Sequence, residues 1–153
     1  LATSFSAVSL YASSLTAQPM AAALLGFELR LACPEGYEPD HAIFEAAKSR
    51  TTVLITEDPD EAAAGAHVIN TDVWTSMGQE HEHDLRRVAF QGYCVDTELL
   101  GFAAPDAIVL HCLPAHRGEE ITDEVIEGTR SRVFEQAGNR LPVQQALMAR
   151  LMG

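Results

Sequence analysis

The sequence predicts a parallel, doubly wound α/β sheet with helices on both faces, a single three-layer α/β/α domain. Three observations carry that reading. Short apolar runs rich in β-branched residues alternate with helical segments along the chain. Runs such as "VLI" (53–55) and "AIVL" (107–110) are apolar at successive positions rather than at every second residue, as strands buried on both faces are. No repeat, low-complexity tract or internal boundary interrupts the 153 residues, a length that suits one domain with a sizeable core.

The elements follow in order. "SFSAVSL" (4–10) reads as a buried strand and "TAQPMAAALLG" (16–26) as a buried helix. Thr16 is placed to cap that helix, Pro19 sits in its first turn, and Gly26 stops it. "FELRLACP" (27–34) is the next strand, closed by the Pro/Gly-rich turn "PEGYEPD". "HAIFEAAKSR" (41–50) has apolar residues at helical spacing, "TTVLITE" (51–57) is a β-branched strand, and "DPDEAAAGA" (58–66) a short helix with an acidic cap. "HVINTD" (67–72) is a strand, and "QEHEHDLRRVAFQGY" (79–93) is helical in its middle. "DTELLGFA" (96–103) is a helix capped by Asp96, "DAIVLHC" (106–112) a strand, and "TDEVIEGT" (122–129) a helix capped by Thr122. The tail, "VFEQAGNRLPVQQALMARLM" (133–152), is a long amphipathic helix with Pro142 as a candidate kink. Strand–helix alternation of this kind gives a Rossmann-like order.

Composition narrows the function. Net charge is −12, with one lysine and nine arginines. Such a surface disfavours nucleic acid and anionic membranes, which bind clustered basic residues. It suits a protein handling a cationic metabolite, although charge also serves plain solubility. Cys33, Cys94 and Cys112 are odd in number, widely spaced and without a C-x-x-C. They predict no disulfide framework and no zinc site, and hence a reducing, cytoplasmic setting. The first 27 residues carry no charge, but without a basic leader and with Ser, Thr and Gln throughout they read as core rather than signal peptide or membrane span. The chain opens on Leu and reads as a piece of something longer.

Ligands of such sheets bind beyond the carboxyl ends of the strands. Two unusual loops leave from there. "DVWTSMGQE" (72–80) offers a carboxylate (Asp72), a hydroxyl (Ser76), a thioether (Met77) and a glycine (Gly78). "HCLPAHRGEEIT" (111–122) offers a thiol, two imidazoles and a guanidinium within seven residues, and its Leu113–Pro114 bond is a candidate for cis geometry. Each has a plainer reading. Cys112 at a strand end is often just a small buried hydrophobe, Asp72 a turn residue, and Arg140 a solvated helix arginine. His81 and His83 suggest a metal, but their i, i+2 spacing turns them to different faces of a helix, and none is expected. His111, His116 and Arg117 are read as shaping the loop, Arg117 through bonds to backbone.

Together with "GNRLPVQQALM" (138–148), these two loops resemble the signature stretches of the ornithine carbamoyltransferases, from about Leu24 to the C-terminus. "PEGYEPD" and "GYCVDTELL" (92–100) sit where that family has similar sequence. The resemblance is to the C-terminal, ornithine-binding half, so the whole of 1–153 is expected to be that domain. It implies transfer of the carbamoyl group from carbamoyl phosphate to the δ-amine of L-ornithine, giving citrulline and phosphate, without a cofactor. It also implies roles. Residues matching Asp72 and Cys112 lie beside the amino groups of ornithine, and those matching Ser76 and Met77 hold its amino-acid end. The carbonyl of Leu113 faces the carbamoyl NH₂, and Arg140 reaches the carbamoyl oxygen, where negative charge develops.

Two departures qualify the resemblance. The family's Ser-Thr-Arg-Thr phosphate loop belongs to an N-terminal domain that has no counterpart here; "EGTRSR" (127–132) is the nearest string. Where the family has Gly-Asp-Gly-Asn-Asn, this chain has "SLYAS" (9–13), and residues 1 to about 20 look unlike the family. The amide that would contact ornithine falls near Ala12 or Ser13. Two readings stay open: a half-enzyme that needs a carbamoyl-phosphate-binding domain, and a folded fragment without catalysis that is at most a weak amino-acid binder or scaffold. An acidic interaction module has only the charge in its favour.

Overall fold

The computed structural model describes residues 5–10, 17–75 and 80–153. Five parallel strands form one sheet: β1 (Ser6–Leu10), β2 (Glu28–Ala32), β3 (Val53–Thr56), β4 (Val68–Thr71) and β5 (Ile108–His111). Their order is β3-β2-β1-β4-β5. The chain therefore winds outward from β1 in one direction, then returns to the other side of β1 through β4 and β5. This doubly wound α/β order is the predicted one, and its switch point lies between β1 and β4.

Helices cover the sheet according to side-chain alternation along the strands. Leu29, Leu31 and Val53 point to one face and are buried with Ala22 and Ala47, which belong to α1 (Ala17–Leu25) and α2 (His41–Lys48). Val8, Leu10, Ile69 and Val109 point to the other face, into the larger core. There they meet α3 (Pro59–Ala63), α4 (His83–Ala89) after a 3₁₀ turn at Glu80–Glu82, α5 (Leu99–Phe102) and α6 (Asp123–Ile126). At the centre of that layer, Phe90 is fully buried, edge-on to Tyr37 and Tyr93 and stacked on Trp74. Burying such a ring contributes about 1.5–3 kcal/mol.

Local chemistry sets the helix limits. Asp58 accepts from the amides of Asp60 and Glu61 to start α3, and Arg30 donates to the carbonyls of Ala62 and Ala64 at its far end. A cation at a helix C-terminus is the favourable arrangement. Thr122 caps α6, and Asp96 accepts from Leu99 N at 2.9 Å before α5. Gly26, at φ 76°, ends α1 in a conformation that side chains disfavour. Thr16 lies outside the described residues.

The last helix, α7 (Val133–Met152), behaves differently. It runs on through Pro142, and Val133 is its one buried residue. Phe134, Leu141, Leu147, Met148 and Leu151 are all exposed, so its apolar stripe has no cover among the described residues. On the α1–α2 face, an apolar groove of about 310 Å³ also stays open over Phe5, Phe27, Val68 and Leu110.

Candidate functional site

Register brings the two loops together. Thr71 pairs with His111 across β4 and β5, so the next residues, Asp72 and Cys112, leave the sheet side by side. The Cys112 thiol donates to Asp72 Oδ1 at 2.8 Å, although 40 residues separate them. The same oxygen accepts from Val73 N at 2.8 Å, and Asp72 is buried. Cys112 is exposed as a residue, but its sulfur is turned against this carboxylate. Its pKa rises from 9.0 to about 12, first through desolvation, then through the hydrogen bond and the charge of Asp72; a backbone hydrogen bond and then the charge of Arg140 pull the other way. Cys112 is thus a neutral thiol at any physiological pH, a hydrogen-bond donor rather than a nucleophile.

Beside this pair opens a cleft of about 650 Å³, lined among others by Cys112, Leu113, Pro114, Phe134 and Arg140. Arg140 reaches it from the second turn of α7. The Leu113–Pro114 bond is cis, as anticipated, and Leu113 itself stands at φ 57°, a region that branched L-residues avoid. A buried strut holds it there. Leu113 N donates to His111 Nδ1 at 2.9 Å. That bond leaves Nδ1 without a proton, so Nε2 carries it and donates to Glu120 Oε1 at 3.0 Å. Both His111 and Glu120 are fully buried. The same Glu120 oxygen accepts from His116 N at 2.6 Å, which ties the loop back on itself.

Of the residues singled out in the sequence, Asp72, Cys112, Leu113 and Arg140 therefore converge at the carboxyl edge of the sheet. Ser76, Met77 and Gly78 lie outside the described residues, as do Ala12 and Ser13. His111 does shape the loop. Arg117 does so differently from the expectation: it pairs with the carboxylates of Asp123 at 2.5 Å and Glu127 at 2.6 Å rather than with backbone, because the turn at Gly118 folds it over α6. His81 and His83 diverge, His81 towards Glu82 and His83 towards Asp84 and Glu119. Glu120 was missed altogether. Its signal was the doubled acid after Gly118, of which one member turns inward.

Comparisons with known proteins give the family. Residues 12–151 match the model of the aspartate/ornithine carbamoyltransferase Asp/Orn-binding domain. The chain belongs to the aspartate/ornithine carbamoyltransferase family. It is 61% identical over 134 residues to an ornithine carbamoyltransferase of Geobacter metallireducens, covering 86% of this chain and 44% of that protein. With an ornithine carbamoyltransferase of Nostoc punctiforme it shares 58% over 135 residues, again 86% of this chain and 44% of the relative. Among solved structures, the ornithine carbamoyltransferase of Gloeobacter violaceus superposes with a TM-score of 0.87 at 43% identity, covering 97% of this chain and 52% of that one. The Thermus thermophilus enzyme gives 0.86 at 40%, covering 97% and 48%. The chain of this carbamoyltransferase-family protein thus spans about half the length of the relatives it matches. No helix among its described residues is long and apolar enough to cross a membrane.

Proposed function

We propose that this chain is the ornithine-binding half of an ornithine carbamoyltransferase, inactive until a carbamoyl-phosphate-binding domain joins it. The observation that supports this best is the hydrogen-bonded pair of Cys112 and Asp72 at the mouth of a cleft that also holds Arg140. Asp72 attracts the cationic δ-ammonium of L-ornithine and, once its proton has gone, orients the amine towards the carbamoyl carbon. The Cys112 thiol, kept neutral, fixes the carboxylate without competing as a nucleophile. Leu113, held by His111, presents its carbonyl to the carbamoyl NH₂. Arg140 stabilises the negative charge that grows on the carbamoyl oxygen as the tetrahedral intermediate forms, before phosphate departs. Ser76 and Met77 complete this reading by holding the amino-acid end of the substrate. A cytoplasmic place in arginine metabolism goes with it, in keeping with three unpaired cysteines.

One observation favours the alternative, a folded fragment without catalysis: "SLYAS" stands where the family has Gly-Asp-Gly-Asn-Asn. Loss of one buried partner for the substrate costs roughly 1–3 kcal/mol, about one to two orders of magnitude in affinity. Calorimetric titration with L-ornithine tests both readings, on the chain as given and with residues 9–13 rebuilt as Gly-Asp-Gly-Asn-Asn. We expect binding on the order of millimolar, tighter after rebuilding and lost in Asp72→Ala. With carbamoyl phosphate present, no citrulline should form above the level of a Cys112→Ala control. No gain in a well-folded rebuilt chain would mean the site lies elsewhere, and turnover by the isolated chain would remove the need for a second domain.

A further inference from the structure

We propose that His116, Glu119 and Glu120 form a binding site for a divalent transition-metal ion, of the class of Zn²⁺ or Co²⁺, on the turn that follows the Cys112–Leu113 loop. The starting point is an unbalanced buried carboxylate. Glu120 is fully buried, and its Oε1 takes two hydrogen bonds, from His111 Nε2 and His116 N. Its other oxygen, Oε2, is equally buried and has no hydrogen-bond partner. Buried carboxylate oxygens are costly unless paired, so what this one faces matters.

It faces a ligand set. His116 Nδ1 lies 4.0 Å from Glu120 Oε2 and 3.9 Å from Glu119 Oε2, too far for hydrogen bonds. One ligand atom from each of the three side chains falls within 4.8 Å of the others. Tetrahedral ligands bound at about 2.0–2.2 Å to one ion stand about 3.3–3.6 Å apart. The two distances to the imidazole exceed that by a few tenths of an ångström, which rotation of the partly exposed Glu119 and His116 closes. The second oxygen of Glu119 lies 3.9 Å from His83 Nε2, which puts a further imidazole, on α4, beside the set.

The backbone is ready for such an ion. Glu119 N donates to His116 O at 3.0 Å and Gly118 N to Ile121 O at 2.9 Å, with Gly118 at φ 86°. The three ligands therefore come from one closed turn, and little chain entropy is lost on binding. One imidazole with two carboxylates favours Zn²⁺ or Co²⁺ over Ca²⁺ and Mg²⁺, which call for all-oxygen shells. Water or His83 would fill the remaining positions. A net charge of −12 raises the local concentration of cations.

Because the thiol of Cys112 and the carboxylate of Asp72 could also take zinc, the test uses a Cys112→Ala chain. Calorimetric titration with ZnCl₂ should find one site in that background, weakened about tenfold or more by His116→Ala and likewise by Glu119→Gln. Co²⁺ titration should give visible d–d bands without thiolate charge transfer. Both added substitutions lie at partly exposed side chains, and an unchanged far-ultraviolet circular dichroism spectrum establishes that each variant is folded. Absence of zinc binding in the Cys112→Ala chain, or binding that survives both added substitutions in folded protein, overturns the proposal.

Discussion

The neutral state of Cys112 can be tested through its rate of disulfide exchange. At pH 8, an ordinary thiol of pKa 9.0 is about one-tenth thiolate, whereas one at about 12 is about one part in ten thousand. The reactive fraction falls about a thousandfold. Nucleophilicity rises with basicity, with a Brønsted slope of about 0.4–0.5, which recovers roughly 15- to 30-fold over three pKa units. The net expectation is reaction some 30- to 60-fold slower than a free thiol of pKa 9.0, on the order of the residual factor. The assay is timed reaction with a small aromatic disulfide, quenched and read peptide by peptide by mass spectrometry, so that Cys33 and Cys94 do not interfere. Asp72→Asn removes the charge beside the sulfur and should speed Cys112. If wild-type Cys112 matches a free thiol at pH 8, or Asp72→Asn leaves it unchanged, the pairing does not govern the site.

Glu120→Ala strands the Nε2–H of His111 and the amide of His116, and should cost about 2–4 kcal/mol in urea unfolding; a loss below about 1 kcal/mol would contradict the strut. Cys33 and Cys94 are raised to about 11, chiefly by burial, and Cys112 and Tyr93 to about 12. Between pH 9 and 12 the folded chain keeps protons that the unfolded chain has released, so stability is intact below pH 9 and falls as pH rises. Guanidinium midpoints at pH 7 and pH 10.5 check that sign, and a flat profile would refute it. The open stripe of α7 should make the chain associate weakly, and Leu147→Glu should reduce that association; sedimentation at micromolar concentration reads both.

Much of the fold was legible because strand and helix signals in this chain are local. Asp58 and Thr122 cap where their spacing said they would, Asp96 accepts from Leu99 N although α5 starts later than expected, after Glu98, and five apolar runs became five strands. The site was legible in its membership but not in its pairing. That Cys112 touches Asp72 depends on the register of β4 against β5, and nothing within either loop encodes it. Arg117 was assigned to backbone because a side chain of its length can reach many partners, and only the turn at Gly118 decides among them. The inward Glu120 was hidden for a related reason. Adjacent acids look alike in a sequence, and the buried imidazole that selects one of them comes from the strand before the loop.

The 20 residues of α7 make a rod about 30 Å long, fastened to the sheet at Val133 and Gln136 and exposed from Gly138 onward among the described residues. Arg140 rides on it, beyond the fastened end. Small tilts of such a lever move its guanidinium relative to Asp72 and Cys112, which are fixed by the strands. The two halves of the charge arrangement therefore answer to different supports. One is set by the folding of this chain alone, the other by whatever steadies the rod.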